Sequence, residues 1–215
     1  MRRLPTAVIS LTVALVAGAV ISGAGAASAA PTQPAATQGK DRFAVGDSVM
    51  LGAKSALKDK GFAIVDAVES RQAYDGPALL RKRGTGLPKN VVVHLGTNGT
   101  FPLSVCKKIV STAGPSRRVF FVNVHVPRSW QKSNNHVIRE CDASFAADRV
   151  HIIDWNSAAK AHPKWLYGDH IHLRPSGAKG FARLIDTNVD QAIAAAHKKA
   201  VDAATGSGSA GTATS

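Results

Sequence analysis

Five short runs rich in Val, Ile and Phe, each followed by a segment of helical character, constrain this chain more than any other feature. The runs are 42–45, 63–68, 91–95, 119–124 and 150–153. Each is largely apolar at consecutive positions, as a strand covered on both faces must be, whereas a strand buried on one face would alternate. Helices are expected over 50–60, 77–83, 103–113, 134–147 and 175–196. The last opens on Pro175, whose fixed φ and missing N–H suit a first helical turn. Strand and helix in alternation predict an α/β fold, a three-layer α/β/α sandwich with a central parallel five-stranded sheet, open and doubly wound. Functional residues of such a sheet gather at the carboxyl ends of its strands.

The ends of the chain read differently. Met1, Arg2 and Arg3 precede an apolar run over 7–21, and small residues follow to Ala27, Ser28, Ala29 and Ala30. That order is the one a secretory signal takes, with cleavage expected near Ala29 or Ala30, so residues 1–30 are assigned to a signal peptide and the protein to the outside of the cell. An uncleaved anchor is disfavoured because Gly23, Gly25 and the Ala-Ser-Ala site follow the apolar run directly. Residues 31–40 have the Pro, Gln and Thr of a flexible linker, 41–199 the folded domain, and 200–215 a low-complexity Ala, Gly, Ser and Thr tail.

An exported chain with two cysteines, Cys106 and Cys141, is expected to join them in a disulfide, which would stabilise the fold by roughly 3 to 4 kcal/mol. The net charge of +13 among 215 residues suits contact with anionic wall polymers. Lys and Arg are scattered and no nucleic-acid motif occurs, so nucleic acid is not an expected partner. A monomer is expected, and neither a metal nor another cofactor is.

Three strand ends carry the chemistry. The first run ends in Gly46-Asp47-Ser48 and leads straight into a helix, which would expose the Ser48 hydroxyl above the sheet; an ordinary helix cap reads the same way. The third ends in Gly96-Thr97-Asn98-Gly99, where the Asn98 amide could donate into the mouth of the sheet or simply close an Asx turn. Before the Pro175 helix stands Asp169-His170-Ile171-His172, close enough for the carboxylate to orient one ring nitrogen and leave the other for a serine. A metal site on Asp169, His170 and His172 lacks a fourth ligand at a recognisable spacing. At the end of the second run, Ser70 offers a backbone N–H. Arg71 and Gln72 are expected to position substrate, with an ion pair from Arg71 to Glu69 or Asp66 as the structural alternative. Arg128, on the 127–135 loop with Trp130 and Lys132, is expected to line an acceptor wall. His94, inside a strand, reads as a satisfied core histidine or one that supports the site from behind, rather than as a catalyst.

In this order the blocks resemble the SGNH, or GDSL-type, hydrolase superfamily, named for the Ser, Gly, Asn and His of four blocks. Ser48 matches the first, Asn98 the third, and Asp169 with His172 the fourth; Ser70 stands where the second has Gly. The runs Gly46-Asp47-Ser48-Val49-Met50, Ser70-Arg71-Gln72, His94-Leu95-Gly96-Thr97-Asn98-Gly99 and Val126-Pro127-Arg128 are similar to the extracytoplasmic catalytic domain of bacterial peptidoglycan O-acetyltransferases. The resemblance implies a flavodoxin-like SGNH hydrolase fold and a serine esterase or O-acetyltransferase acting through acyl-Ser48 on acetyl esters of cell-wall glycan such as peptidoglycan. Ser48, Asp169 and His172 would be catalytic, and Ser48, Ser70 and Asn98 the oxyanion hole. Relatives usually carry a membrane acyltransferase module that these 215 residues lack, so water and a sugar hydroxyl both stand as acceptors. A non-catalytic wall-binding protein and a lipase or thioesterase are the alternatives.

Overall fold

The computed structural model describes residues 41–206, and the expected signal peptide and linker lie outside them. Five strands form one sheet: β1 Arg42–Gly46, β2 Ile64–Ala67, β3 Asn90–His94, β4 Arg118–Val122 and β5 Val150–Ile153. All pair in parallel in the order β2-β1-β3-β4-β5. The three-layer sandwich expected from the sequence is therefore the fold.

Both faces of the sheet are covered, and the alternation of each strand divides its side chains between two cores. Ala44, Val92, Phe120, Val122 and Ile153 meet one set of helices: α1 Ser48–Gly52, α2 Lys54–Asp59, α6 Trp155–Ala161 and α7 Pro175–Gly206. Phe43, Val45, Val91, Val93, Val119, Phe121 and Val150 meet the other: α3 Gly76–Arg83, α4 Leu103–Ala113 and α5 Gln131–Ala143. Every residue of β1 and β3 is buried, so these central strands need consecutive apolar positions. Arg42 is the charged exception, 2% exposed, and its guanidinium bonds Asp186 at 2.7 Å and also Asp190, fastening β1 to α7. Cys106 on α4 and Cys141 on α5 form the expected disulfide, 35 residues apart in sequence.

Four expectations about helices need correction. The first helix begins at Ser48 rather than at position 50, because the Asp47 carboxylate caps it by accepting from the Val49 N–H at 3.1 Å, and it breaks at Ala53 into α1 and α2. The helix expected over 134–147 is α5, three residues earlier at its start. The helix α6 was not expected; Asp154 caps it by accepting from the Ser157 N–H at 3.0 Å. Helix α7 runs on to Gly206, so 200–206 of the expected tail is helical. Among the described residues no helix is long and apolar enough to cross a membrane.

Candidate active site

Register decides where the site forms. Gly46, the last residue of β1, pairs with Ala67 of β2 on one side and His94 of β3 on the other. The segments that follow these three strands therefore leave the sheet side by side, at the point where the strand order reverses, which is where open α/β sheets bind ligands. Gly46 must lack a side chain: a Cβ there would lie 2.5 Å from the Cβ of Met50, so only glycine lets α1 start this close to β1.

Ser48 is the first residue of α1, and its Oγ lies 3.0 Å from Nε2 of His172. The opposite ring nitrogen, Nδ1, lies 2.6 Å from Oδ2 of Asp169. Since a carboxylate only accepts, Nδ1 carries the proton, and Nε2 is left as the acceptor for the Ser48 hydroxyl. The loop holding the pair is fixed from within. Asp169 Oδ1 accepts from the backbone N–H groups of Ile171 at 2.9 Å and His172 at 3.0 Å. Tyr167 N–H donates to the His172 carbonyl at 2.9 Å, and Leu166 bridges Leu173. Partial burial pushes the Asp169 carboxyl up, but the His172 ring and these two amides outweigh it and bring the carboxyl down to about 2. It is thus an anion throughout the neutral range.

Ser48, Ser70, Gln72, Thr97, Asn98, Arg128 and His172 line one open cleft of about 320 Å³, with Val126, Trp130 and Ile171 completing its wall. Two loops meet at its floor and are laced together. Asn98 donates from its side-chain nitrogen to the Arg71 carbonyl at 3.3 Å, leaving its second amide hydrogen for the cleft, and Gln72 donates to the Ser70 carbonyl at 3.3 Å. Ser70 has φ 56, a left-handed conformation that glycine adopts without cost. Arg71 departs from its expected role. Its guanidinium is spent on the Asp66 carboxylate at 2.8 Å, the Asp66 carbonyl and the Gly46 carbonyl at 3.1 Å. It is 9% exposed and braces the ends of β1 and β2 from behind, as the ion-pair alternative had it, so Gln72 and Arg128 alone of the three expected substrate contacts face the cleft.

Reasoning from the sequence missed Asn134. Buried at the start of α5, it accepts from the Phe101 N–H at 2.8 Å and donates to the carbonyls of Gly96 at 2.9 Å and Gly99 at 2.8 Å. One side chain so holds both ends of the loop that presents Asn98. Its neighbour Asn135 does the same for the loop after β4, bonding both the N–H and the carbonyl of Val124 at 2.8 Å. The signal in the sequence is a pair of amides on a helix face that should be apolar.

No protein-family model matches the chain. Over 149 residues it is 33% identical to YrhL of Bacillus subtilis, an alignment covering 68% of this chain and 23% of that protein. It is 31% identical over 145 residues to the O-acetyltransferase OatA of Staphylococcus aureus, covering 66% and 24%. The chain thus spans about a quarter of the length of these curated relatives. Among solved structures, the fold is similar to the C-terminal catalytic domain of Streptococcus pneumoniae peptidoglycan O-acetyltransferase A, with a TM-score of 0.62 at 23% identity, over 74% of this chain and 95% of that one. It is also similar to a member of the lipolytic G-D-S-L family from Veillonella parvula, with a TM-score of 0.51 at 13% identity, over 66% and 94%. The chain therefore has the fold of the solved G-D-S-L family structures, and its sequence is similar to about a quarter of the length of curated O-acetyltransferases.

Proposed function

We propose that the protein is an exported serine acyl-transfer enzyme that moves acetyl groups on cell-wall glycan, with peptidoglycan as its polymer. The observation that carries this reading is the continuous chain from Ser48 Oγ through the His172 ring to the Asp169 carboxylate, with contacts of 3.0 and 2.6 Å. Ser48 Oγ attacks the carbonyl carbon of an acetyl ester while its proton passes to His172 Nε2. The negative charge that develops on the carbonyl oxygen is held by the backbone N–H groups of Ser48 and Ser70 and by the free Asn98 amide hydrogen. Losing one such donor costs roughly a hundredfold in rate or more. When the tetrahedral centre collapses, the ester C–O bond breaks and the departing alcohol takes the proton from His172. Acetyl-Ser48 remains. A second hydroxyl then attacks it, giving its own proton to His172, and Ser48 recovers its proton as the product leaves. Asp169 stays ionised throughout and fixes the ring tautomer.

Support for the polymer comes from similarity to the OatA proteins and from the signal-like first thirty residues. The acceptor is a sugar hydroxyl where one occupies the cleft beside Gln72 and Arg128, and water otherwise. The test is mass analysis of muropeptides and chitooligosaccharides incubated with the protein and an acetyl donor. Sugar that gains acetyl identifies a transferase, pre-acetylated sugar that loses it identifies an esterase, and neither change should occur with Ser48→Ala. Sugar unchanged by the parent protein under both conditions would refute the glycan assignment.

A further inference from the structure

Behind the nucleophile lies a second acid and imidazole contact that the acyl-transfer steps do not use. Asp47 and His94 are both fully buried, at 0% exposure. Asp47 reaches three elements at once. Oδ1 accepts from the Val49 N–H at 3.1 Å, which fixes the first turn of α1 and hence Ser48. Oδ2 accepts from the Thr97 N–H at 3.3 Å, the residue before Asn98. Nε2 of His94 lies 3.9 Å from Oδ1, and no other basic side chain comes within ion-pair range of Asp47 among the described residues. The ring is held from its far side: Nδ1 lies 3.2 Å from the Val122 carbonyl at the end of β4, to which it must donate, and Phe181 packs edge-on at 5.3 Å. Nε2 is buried and has no hydrogen-bond partner of its own.

We propose that His94 is a positioning residue that acts through Asp47, keeping its carboxylate in the orientation that ties the Ser48 turn to the Asn98 loop. The inference rests on the serine reading above. A buried carboxylate is stable only where polar groups surround it. The two backbone donors serve one side of Asp47, one of them across a long contact; the other side faces Nε2 at 3.9 Å, and because Nδ1 is committed to Val122, that edge supports the carboxylate as the N–H of a ring carrying both protons. An apolar ring in its place would leave the carboxylate facing hydrocarbon, and it would turn away from Thr97. Ser48 and Asn98 would then lose their common anchor, and with it the spacing between nucleophile and oxyanion donor. Misplacement of that kind slows the chemical step more than it weakens binding.

The two ends of the ring can be separated by amide substitutions. His94→Asn reaches as far as Nδ1 and can keep only the Val122 bond, whereas His94→Gln extends as far as Nε2 and can still meet Asp47. With a chromogenic acetate ester, His94→Phe and His94→Asn should lower kcat about tenfold or more with KM within about twofold, and His94→Gln should stay within about threefold of the parent. On an Asp47→Asn background, His94→Phe should cost no further rate, and the Thr97 amide should exchange its proton faster in His94→Asn than in the parent. If the Phe variant does not fold, the Asn and Gln pair decides. A parent well above Ser48→Ala but matched by His94→Asn overturns the role of His94 alone, as do equal losses for Asn and Gln. A parent no faster than Ser48→Ala overturns the serine reading and the role of His94 with it.

Discussion

Asp169 is an anion because of what is bonded to it rather than where it lies. Its carboxyl titrates at about 2 against an ordinary 3.8, so folding gains from its ionisation above 3.8, and that gain is lost as pH falls through about 2. A carbon-13 titration of the carboxyl should find its midpoint near 2. In His172→Ala it should rise only part of the way to 3.8, since the amides of residues 171 and 172 still donate; a full return would mean that the ring alone holds it down. Ser70 tests the backbone in the same spirit. At φ 56 a residue with a Cβ is strained, so Ser70→Gly should raise stability by up to about 1 kcal/mol, while Ser70→Val should lose more than about 1 kcal/mol. Urea midpoints check the order, and a Val variant as stable as the Gly variant would refute it. Ser48, Asn98 and His172 were legible because a motif carries them within a few residues. The role of Asn134 was not, since its partners lie 38 and 35 residues away and only the folded chain brings them together. Arg71 was ambiguous for a related reason: a guanidinium near Asp66 can face a ligand or the carboxylate, and sequence does not say which.

At the scale of elements, strands were easier to locate than helices. Burial on both faces writes itself into consecutive Val, Ile and Phe, and the span predicted for β5 matches the observed Val150–Ile153. Helix boundaries depend on single caps, which is how Asp47 moved the start of α1 and Asp154 produced α6. The extension of α7 came from reading Ala-rich sequence as a tail when Ala is the strongest helix former. The same helix supplies a test in which the usual rule reverses. Replacing a helical Gly by Ala ordinarily gains up to about 1 kcal/mol. At Gly177, however, a Cβ would lie 2.2 Å from the Trp165 carbonyl oxygen, which is backbone and cannot swing aside. Gly177→Ala should therefore lose about 1 to 3 kcal/mol in thermal or urea denaturation, and a stabilised variant would contradict this packing of α7 against the Pro163–Trp165 turn.

For the molecule as a whole, topology does what no single motif could. The order β2-β1-β3-β4-β5 places the ends of three strands beside one another, so residues from 48 to 172 share a cleft whose lining comes from five separate segments. Helix α7 begins three residues after His172 and is fastened to β1 through Arg42, which links the last loop of the site to the first strand. The central claim is that Ser48 becomes covalently acetylated during turnover. The protein should be mixed with an excess of activated acetate ester, quenched in acid within the first turnovers, and digested for peptide mass mapping. One acetyl group on the peptide containing Ser48 is predicted, absent from Ser48→Ala and lost when a hydroxyl acceptor is added before the quench. Acetyl found on other residues with Ser48 unmodified, while the ester is still consumed, would contradict the account.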